Sequence, residues 1–206
     1  MTGAFVTLDG PGGVGKSTVA AALAAHLTTV GKLARLTAEP SSGAVGVFTR
    51  SVADQLAGHA LACLVAADRH DHLASEIRPA LAGGATVVCD RYLASSLVLQ
   101  RIDQVPADFI LAVNAGIQLP DLAVILTAAP EVVRDRLQAR GARHRFERDP
   151  ANPAREVSLY REAAAILTGM GVLVQVIDTG AMTQHAIVGR IADAIASRTG
   201  NVTGHG

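Results

Sequence analysis

The chain has 206 residues, 50% hydrophobic and only 3% aromatic, enough apolar material for one well-filled α/β domain and too little for two. Its 18 Lys plus Arg balance 18 Asp plus Glu, so no global positive field holds a nucleic-acid backbone, and the lack of Trp leaves few stacking surfaces for a single strand. The cysteines Cys63 and Cys89 lie in apolar stretches without CxxC or Cys/His spacing, which predicts two buried thiols and indicates neither a disulfide framework nor a zinc site.

In chain order, a β-branched apolar run at residues 4–8 predicts a first strand; it is too short, and lacks the basic flank, for a signal segment. A glycine-rich turn and a helical pattern over 16–30 follow, then a strand at 33–37, a helix over 56–82 and a strand at 85–89. After a strand at 122–127, helices over 130–139 and 153–169 each open on proline, a residue suited to the first helical turn. A strand at 172–177 and a helix over 183–197 complete the pattern. No apolar run reaches membrane-spanning length, so the sequence reads as cytoplasmic.

Strands alternating with helices predict an α/β fold, a three-layer α/β/α arrangement around a five-stranded parallel sheet, with the site at the carboxyl ends of the strands. One domain is expected over 1–198, with residues 199–206 a disordered glycine-rich tail. Within it, residues 140–152 carry Arg143, His144, Arg145, Glu147, Arg148 and Asp149 near Gly141 and Pro150, which predicts a charged mobile segment.

The string Gly10-Pro11-Gly12-Gly13-Val14-Gly15-Lys16-Ser17 fits GxxxxGK[ST] between a predicted strand and a predicted helix. Glycines let backbone amides of this stretch turn toward phosphate oxygens, and the following helix adds its positive end. Lys16 is then expected at the outer phosphates and Ser17 on Mg²⁺, with Thr18 beside it. The same residues satisfy GxGxxG, with Glu39 ending the second strand, but Lys16, Ser17 and Thr18 stand where a dinucleotide fold packs its helix closely. A partition-type ATPase switch would carry a further lysine where Pro11 stands, and neither an NKxD guanine reader nor an LSGGQ-like segment is present. A small-molecule kinase remains. An acceptor that is already an anion needs cations more than a base, which selects Arg50, Arg69, Arg91, Arg140, Arg143 and Arg145 as candidates.

The settings of these arginines resemble the thymidylate kinase family along most of the chain. Glu39-Pro40 with Arg50 beyond it resembles the family's EP segment, Ala66-Ala67-Asp68-Arg69 its base-reading helix, Asp90-Arg91-Tyr92 with Ser95-Ser96 its DRY segment, Leu119-Pro120-Asp121-Leu122 its LPDL entry, and Arg140 through Glu147 its lid. The resemblance implies ATP and Mg²⁺ as cofactors, Arg50 and Arg91 on the acceptor phosphate, Arg69 toward the base, and Asp90 organising Mg²⁺ or acceptor. It further implies Arg143 and Arg145 as lid cations acting in transfer and Arg140 near ATP. Glu39, Val65, Ser95, Leu99 and Gln100 fall on the acceptor side, as does Asp9, which is read either as a metal-linked acid or as a strand-end residue bonding the turn.

The implied reaction is phosphorylation of a pyrimidine nucleoside monophosphate, dTMP first, by a homodimer that binds no nucleic acid or membrane. A kinase for a ribo- or base-modified pyrimidine monophosphate and a partition-type switch are the alternatives. Departures cluster near the nucleoside: Gly12 replaces a usual Asp, Val65 a usual stacking Phe, Leu99 a usual aromatic residue, and His144 a common Asp. They predict a roomier pocket, less selective for sugar and ring substituent.

Overall fold

The computed structural model describes residues 3–141, 145–149 and 151–201. Strand β1 (Phe5–Asp9) leads through the glycine-rich turn to α1 (Lys16–Thr29), β2 (Ala34–Ala38) and α2 (Ala44–Val52). Helix α3 (Gly58–His72) continues through a π-helical turn (Leu73–Ile77) into α4 (Arg78–Ala82) and β3 (Thr86–Asp90). The chain proceeds by α5 (Leu93–Ile102), α6 (Ala107–Val113), β4 (Leu122–Thr127), α7 (Pro130–Arg140), α8 (Arg145–Arg148), α9 (Asn152–Gly169), β5 (Leu173–Asp178) and α10 (Gln184–Asn201). The five strands are all parallel, in the order β2-β3-β1-β4-β5.

Side-chain alternation along the central strands divides the core. Phe5, Val87, Cys89, Ala123 and Ile125 pack beneath α3, α5 and α9, whereas Val6, Leu8, Val88, Val124 and Leu126 pack beneath α1 and α10. Both faces of these strands are therefore apolar, as a helix-covered parallel sheet requires. Edge strand β2 is largely exposed.

Helices α2, α5, α6 and α8 lie where no helix is expected from the sequence. In α5 the reason is burial around most of its circumference: Leu93, Ala94, Ser95, Ser96, Leu97, Val98 and Gln100 are all buried, so no polar stripe marks a helical period. Of the thiols expected to be buried, Cys89 is and Cys63 is exposed. Among the described residues no helix is long and apolar enough to cross a membrane.

The connection leaving β1 travels toward β2, on one side of it, and the connection leaving β3 travels toward β4, on the other. Right-handed crossovers then put α1 and α5 on opposite faces, opening a crevice beyond the carboxyl ends of β1 and β3. The glycine-rich turn and the Asp90-Arg91 pair flank that crevice.

Candidate active site

The turn after β1 requires glycine. A Cβ on Gly10 would stand 2.2 Å from the Leu126 carbonyl oxygen, and Gly15, at φ 100°, caps α1 in the left-handed region. Buried Lys16 folds over the loop, its Nζ donating to the Gly10 carbonyl at 2.8 Å and the Pro11 carbonyl at 2.7 Å. Burial, and then the nearby Arg91 cation, push its pKa down to about 7, while Asp90, Glu156 and Asp9 act in the opposite sense. An incoming polyphosphate would favour the ammonium.

Ser17 Oγ donates to Asp90 Oδ2, which brings the first residues of α1 onto the end of β3. The other carboxylate oxygen, Asp90 Oδ1, is buried without a hydrogen-bond partner among the described residues. A hydroxyl and a carboxylate with an unused oxygen are the hard donors that Mg²⁺ takes, so these residues fit that ion. Ser17 and Asp90 also line a cavity of about 460 Å³ together with Arg50, Pro40 and Thr37.

Arg91 turns sharply away from β3. Its backbone sits at φ 74°, unusual for a side-chain-bearing residue, and its amide donates to the Leu8 carbonyl at 2.9 Å, holding the turn against β1. Its Nη1 is buried without a hydrogen-bond partner among the described residues. Arg50 is exposed at the cavity edge, with Nη2 donating to the Pro40 carbonyl and, at 3.4 Å, to that of Ser41.

Arg69 is placed differently from a residue open to a base. It is 1% exposed, donates from Nε to Glu39 at 2.9 Å, from Nη1 to Asn114 at 2.6 Å and from Nη2 to Ser96 at 2.9 Å, and lies 4.9 Å from the Tyr92 ring centre. Glu39 is buried with it and faces His72 at 3.5 Å.

Asp9 is fully buried, and its Oδ1 accepts from the amides of Tyr92 and Ser95, each at 2.9 Å, and from Ser95 Oγ at 2.7 Å. It thus caps α5 from a neighbouring strand; the turn it serves follows β3, not β1. Ser95 Oγ also meets Tyr160 Oη at 3.2 Å, so the hydroxyl belongs to an internal network. Gln100 is buried with an Oε1 that has no hydrogen-bond partner among the described residues, while Val65 and Leu99 are half-buried.

In the charged segment, Arg143 and His144 lie outside the described residues, and Arg140 ends α7. Arg145 grips Asp103 through both terminal nitrogens, one at 2.7 Å, donates from Nε to the Ala53 carbonyl at 3.1 Å, and lies 4.0 Å from the Phe146 ring centre. The expected transfer cation is thus engaged with the α2–α3 connection and the end of α5. The space expected beside Gly12 is also occupied: a Cβ there would be 2.7 Å from Glu147 Oε1 and 3.0 Å from Glu147 Cγ. Across the turn, the Gly12 amide donates at 3.0 Å to Oε2 of buried Glu156.

Glu156 and Tyr160 are absent from the sequence expectations, yet a signal for them exists. Residues 152, 153, 156, 157, 160, 163 and 167 form the buried stripe of α9, and Asn152 and Glu156 are polar residues at core positions of that stripe.

A phosphate-cradling loop at the switch point of a parallel sheet defines a P-loop α/β protein of the nucleotide-handling class. A sequence model of the thymidylate kinase family matches residues 8–175. A probable thymidylate kinase of Caldivirga maquilingensis is 39% identical over 163 residues, covering 76% of this chain and 80% of the relative. The thymidylate kinase of Clavibacter michiganensis subsp. michiganensis is 39% identical over 178 residues, covering 82% and 83%. The solved thymidylate kinase of Candida albicans superposes with a TM-score of 0.77 over 96% of this chain and 93% of that one, at 20% identity, which shows the shared fold. The chain belongs to the thymidylate kinase family of ATP-dependent phosphotransferases.

Proposed function

We propose that this chain transfers the γ-phosphoryl group of ATP to the 5′-phosphate of dTMP, giving dTDP and ADP. The observation that carries the reading is the approach of Ser17 to Asp90, with Arg91 Nη1 unpartnered among the described residues, at the carboxyl ends of β1 and β3. Kinship with proteins named thymidylate kinases supplies the acceptor. The alternatives, a ribo- or base-modified pyrimidine kinase and a partition-type switch, are not favoured by these matches.

In this reading an anionic oxygen of the acceptor phosphate attacks the γ-phosphorus and the β–γ bridging oxygen leaves, so no general base is required. The amides of residues 13–17 cradle the donor phosphates, and Lys16 exchanges its loop carbonyls for their outer oxygens. Ser17 and Asp90 would hold Mg²⁺, which neutralises phosphate charge when bound. Arg91 and Arg50 bring the second anion into place, and the Arg143–Arg145 segment neutralises charge during transfer. Arg69, fixed by Glu39, Asn114 and Ser96, sets the rear wall against which a pyrimidine rests.

Half-buried Val65 and Leu99 make that pocket tolerant of sugar and ring substituents. A homodimer and a cytoplasmic location complete the proposal, both supported by family kinship. The test is diphosphate formation from dTMP, dUMP, UMP and CMP with ATP and Mg²⁺, followed directly alongside ADP release. ADP release without any pyrimidine nucleoside diphosphate would overturn the kinase reading in favour of a hydrolytic switch. Light scattering of the purified chain tests the dimer.

A further inference from the structure

Glu156 belongs to none of the motifs that mark the phosphate loop, the acceptor arginines or the lid. It is 3% exposed on the buried stripe of α9, and its Oε2 accepts the Gly12 amide at 3.0 Å, joining positions 144 residues apart. It also acts electrostatically on Lys16, Arg91 and Tyr160. The start of the same helix holds the lid segment: Asn152 Nδ2 donates to the Phe146 carbonyl at 2.8 Å, and the neighbouring Glu147 carboxylate packs on bare Gly12. One helix therefore grips the phosphate loop and the lid segment together.

A buried carboxylate persists only where hydrogen bonds and opposite charge compensate its lost hydration, and the Gly12 amide supplies one such bond. Buried Lys16 and half-buried Arg91, whose Nη1 is itself buried, present the complementary problem, two cations that disfavour each other electrostatically. Asp90 and Asp9 also neutralise them, but Asp90 is bonded to Ser17 and Asp9 caps α5. Glu156 is a neutralising group that comes from the lid side of the cleft.

We propose that Glu156 is a positioning residue for phosphoryl transfer, its carboxylate fixing the Gly12 amide and standing as counter-charge to Lys16 and Arg91, so that the geometry of the phosphate loop depends on the seating of α8 and α9. The proposal rests on the kinase reading above. Its negative charge also opposes a bound polyphosphate, which gives the role a signature that mere packing lacks. Removing the charge tightens ATP while slowing transfer.

Two variants separate the parts. Glu156→Gln keeps the shape and an acceptor oxygen, whereas Glu156→Leu removes both bond and charge. In the protein alone, exchange of the Gly12 amide proton is expected to rise about tenfold or more in E156L and to stay near the parent rate in E156Q. With ATP, Mg²⁺ and dTMP, kcat should fall about tenfold or more in E156L and less in E156Q, while the ATP Kd of E156Q falls about threefold. Unchanged Gly12 exchange and unchanged kcat in E156L overturn the proposal. If E156L does not fold, unchanged kcat and ATP affinity in E156Q overturn it instead. A parent protein that forms no diphosphate from any nucleoside monophosphate defeats the kinase reading itself, whereas an active parent with indifferent variants defeats only the role of Glu156.

Discussion

Replacing Asp9 by alanine removes the acceptor that ties the end of β1 to the start of α5. Three donors converge on Asp9 Oδ1: the Tyr92 and Ser95 amides and the Ser95 hydroxyl. The site is fully buried, so water cannot replace the lost acceptor without a cavity opening. Each buried amide left unpaired costs about 1–3 kcal/mol, and the hydroxyl can turn to Tyr160, which it already meets at 3.2 Å. Relief of the desolvated carboxylate offsets part of this loss. A net destabilisation of about 2–4 kcal/mol is expected for Asp9→Ala, and about 1 kcal/mol for Asp9→Asn, which keeps one acceptor oxygen. Urea unfolding measures both, with the midpoint lowered and the slope unchanged.

The pH dependence of the Asp9→Asn comparison has a definite sign. Burial raises the Asp9 carboxyl above its ordinary value of 3.8. The folded state therefore binds this proton more tightly than the unfolded state does. Its contribution is fully present below the unfolded pKa and is lost as pH rises through the higher folded one. The stability advantage of the parent over Asp9→Asn should shrink as pH is raised from about 4 toward neutrality. An Asp9→Ala variant within about 0.5 kcal/mol of the parent refutes the capping argument, and a pH-independent difference from Asp9→Asn refutes the raised carboxyl.

Lys16→Ala should lower kcat about a hundredfold or more with the fold retained by circular dichroism; near-normal turnover removes the loop from the mechanism. Arg91→Ala should weaken acceptor binding and turnover while leaving ATP affinity nearly intact, and calorimetry showing the reverse pattern reverses the assignment. Arg69→Met strands the Glu39 carboxylate in the core and should cost about 3–5 kcal/mol in urea unfolding; a loss under about 1 kcal/mol would mean the buried pair is compensated elsewhere. If the Arg145–Asp103 pair seats the lid segment, Arg145→Ala and Asp103→Ala should reduce kcat/KM by similar factors and the double variant by no more than either. Additive losses would assign Arg145 a separate effect on transfer.

Local sequence determined the phosphate loop and the alternation of elements, because both are written in short-range chemistry. The string from Gly10 to Ser17 needs its glycines and lysine wherever it folds, and apolar runs of five or six residues between helical patterns mark the strands of a helix-covered sheet, buried at its centre and exposed at the β2 edge. The motif at Asp90 and Arg91 was legible for the same reason, since a strand end at the switch point faces the loop after β1. Helix α5 was not legible as a helix, because burial on nearly all sides erases the period that reveals a surface helix.

Tertiary structure decided what each charge meets, which sequence spacing does not encode. Arg69 reads as a base-facing residue in its motif, yet the fold surrounds it with Glu39, Asn114 and Ser96 from three separate elements. Gly12 reads as missing bulk, yet the chain returns more than 130 residues later to set Glu147 against it and to bond its amide with Glu156. A vacancy and its filling lie far apart in sequence and meet only when α9 packs on the sheet, because burial and long-range partnership are properties of the assembled core.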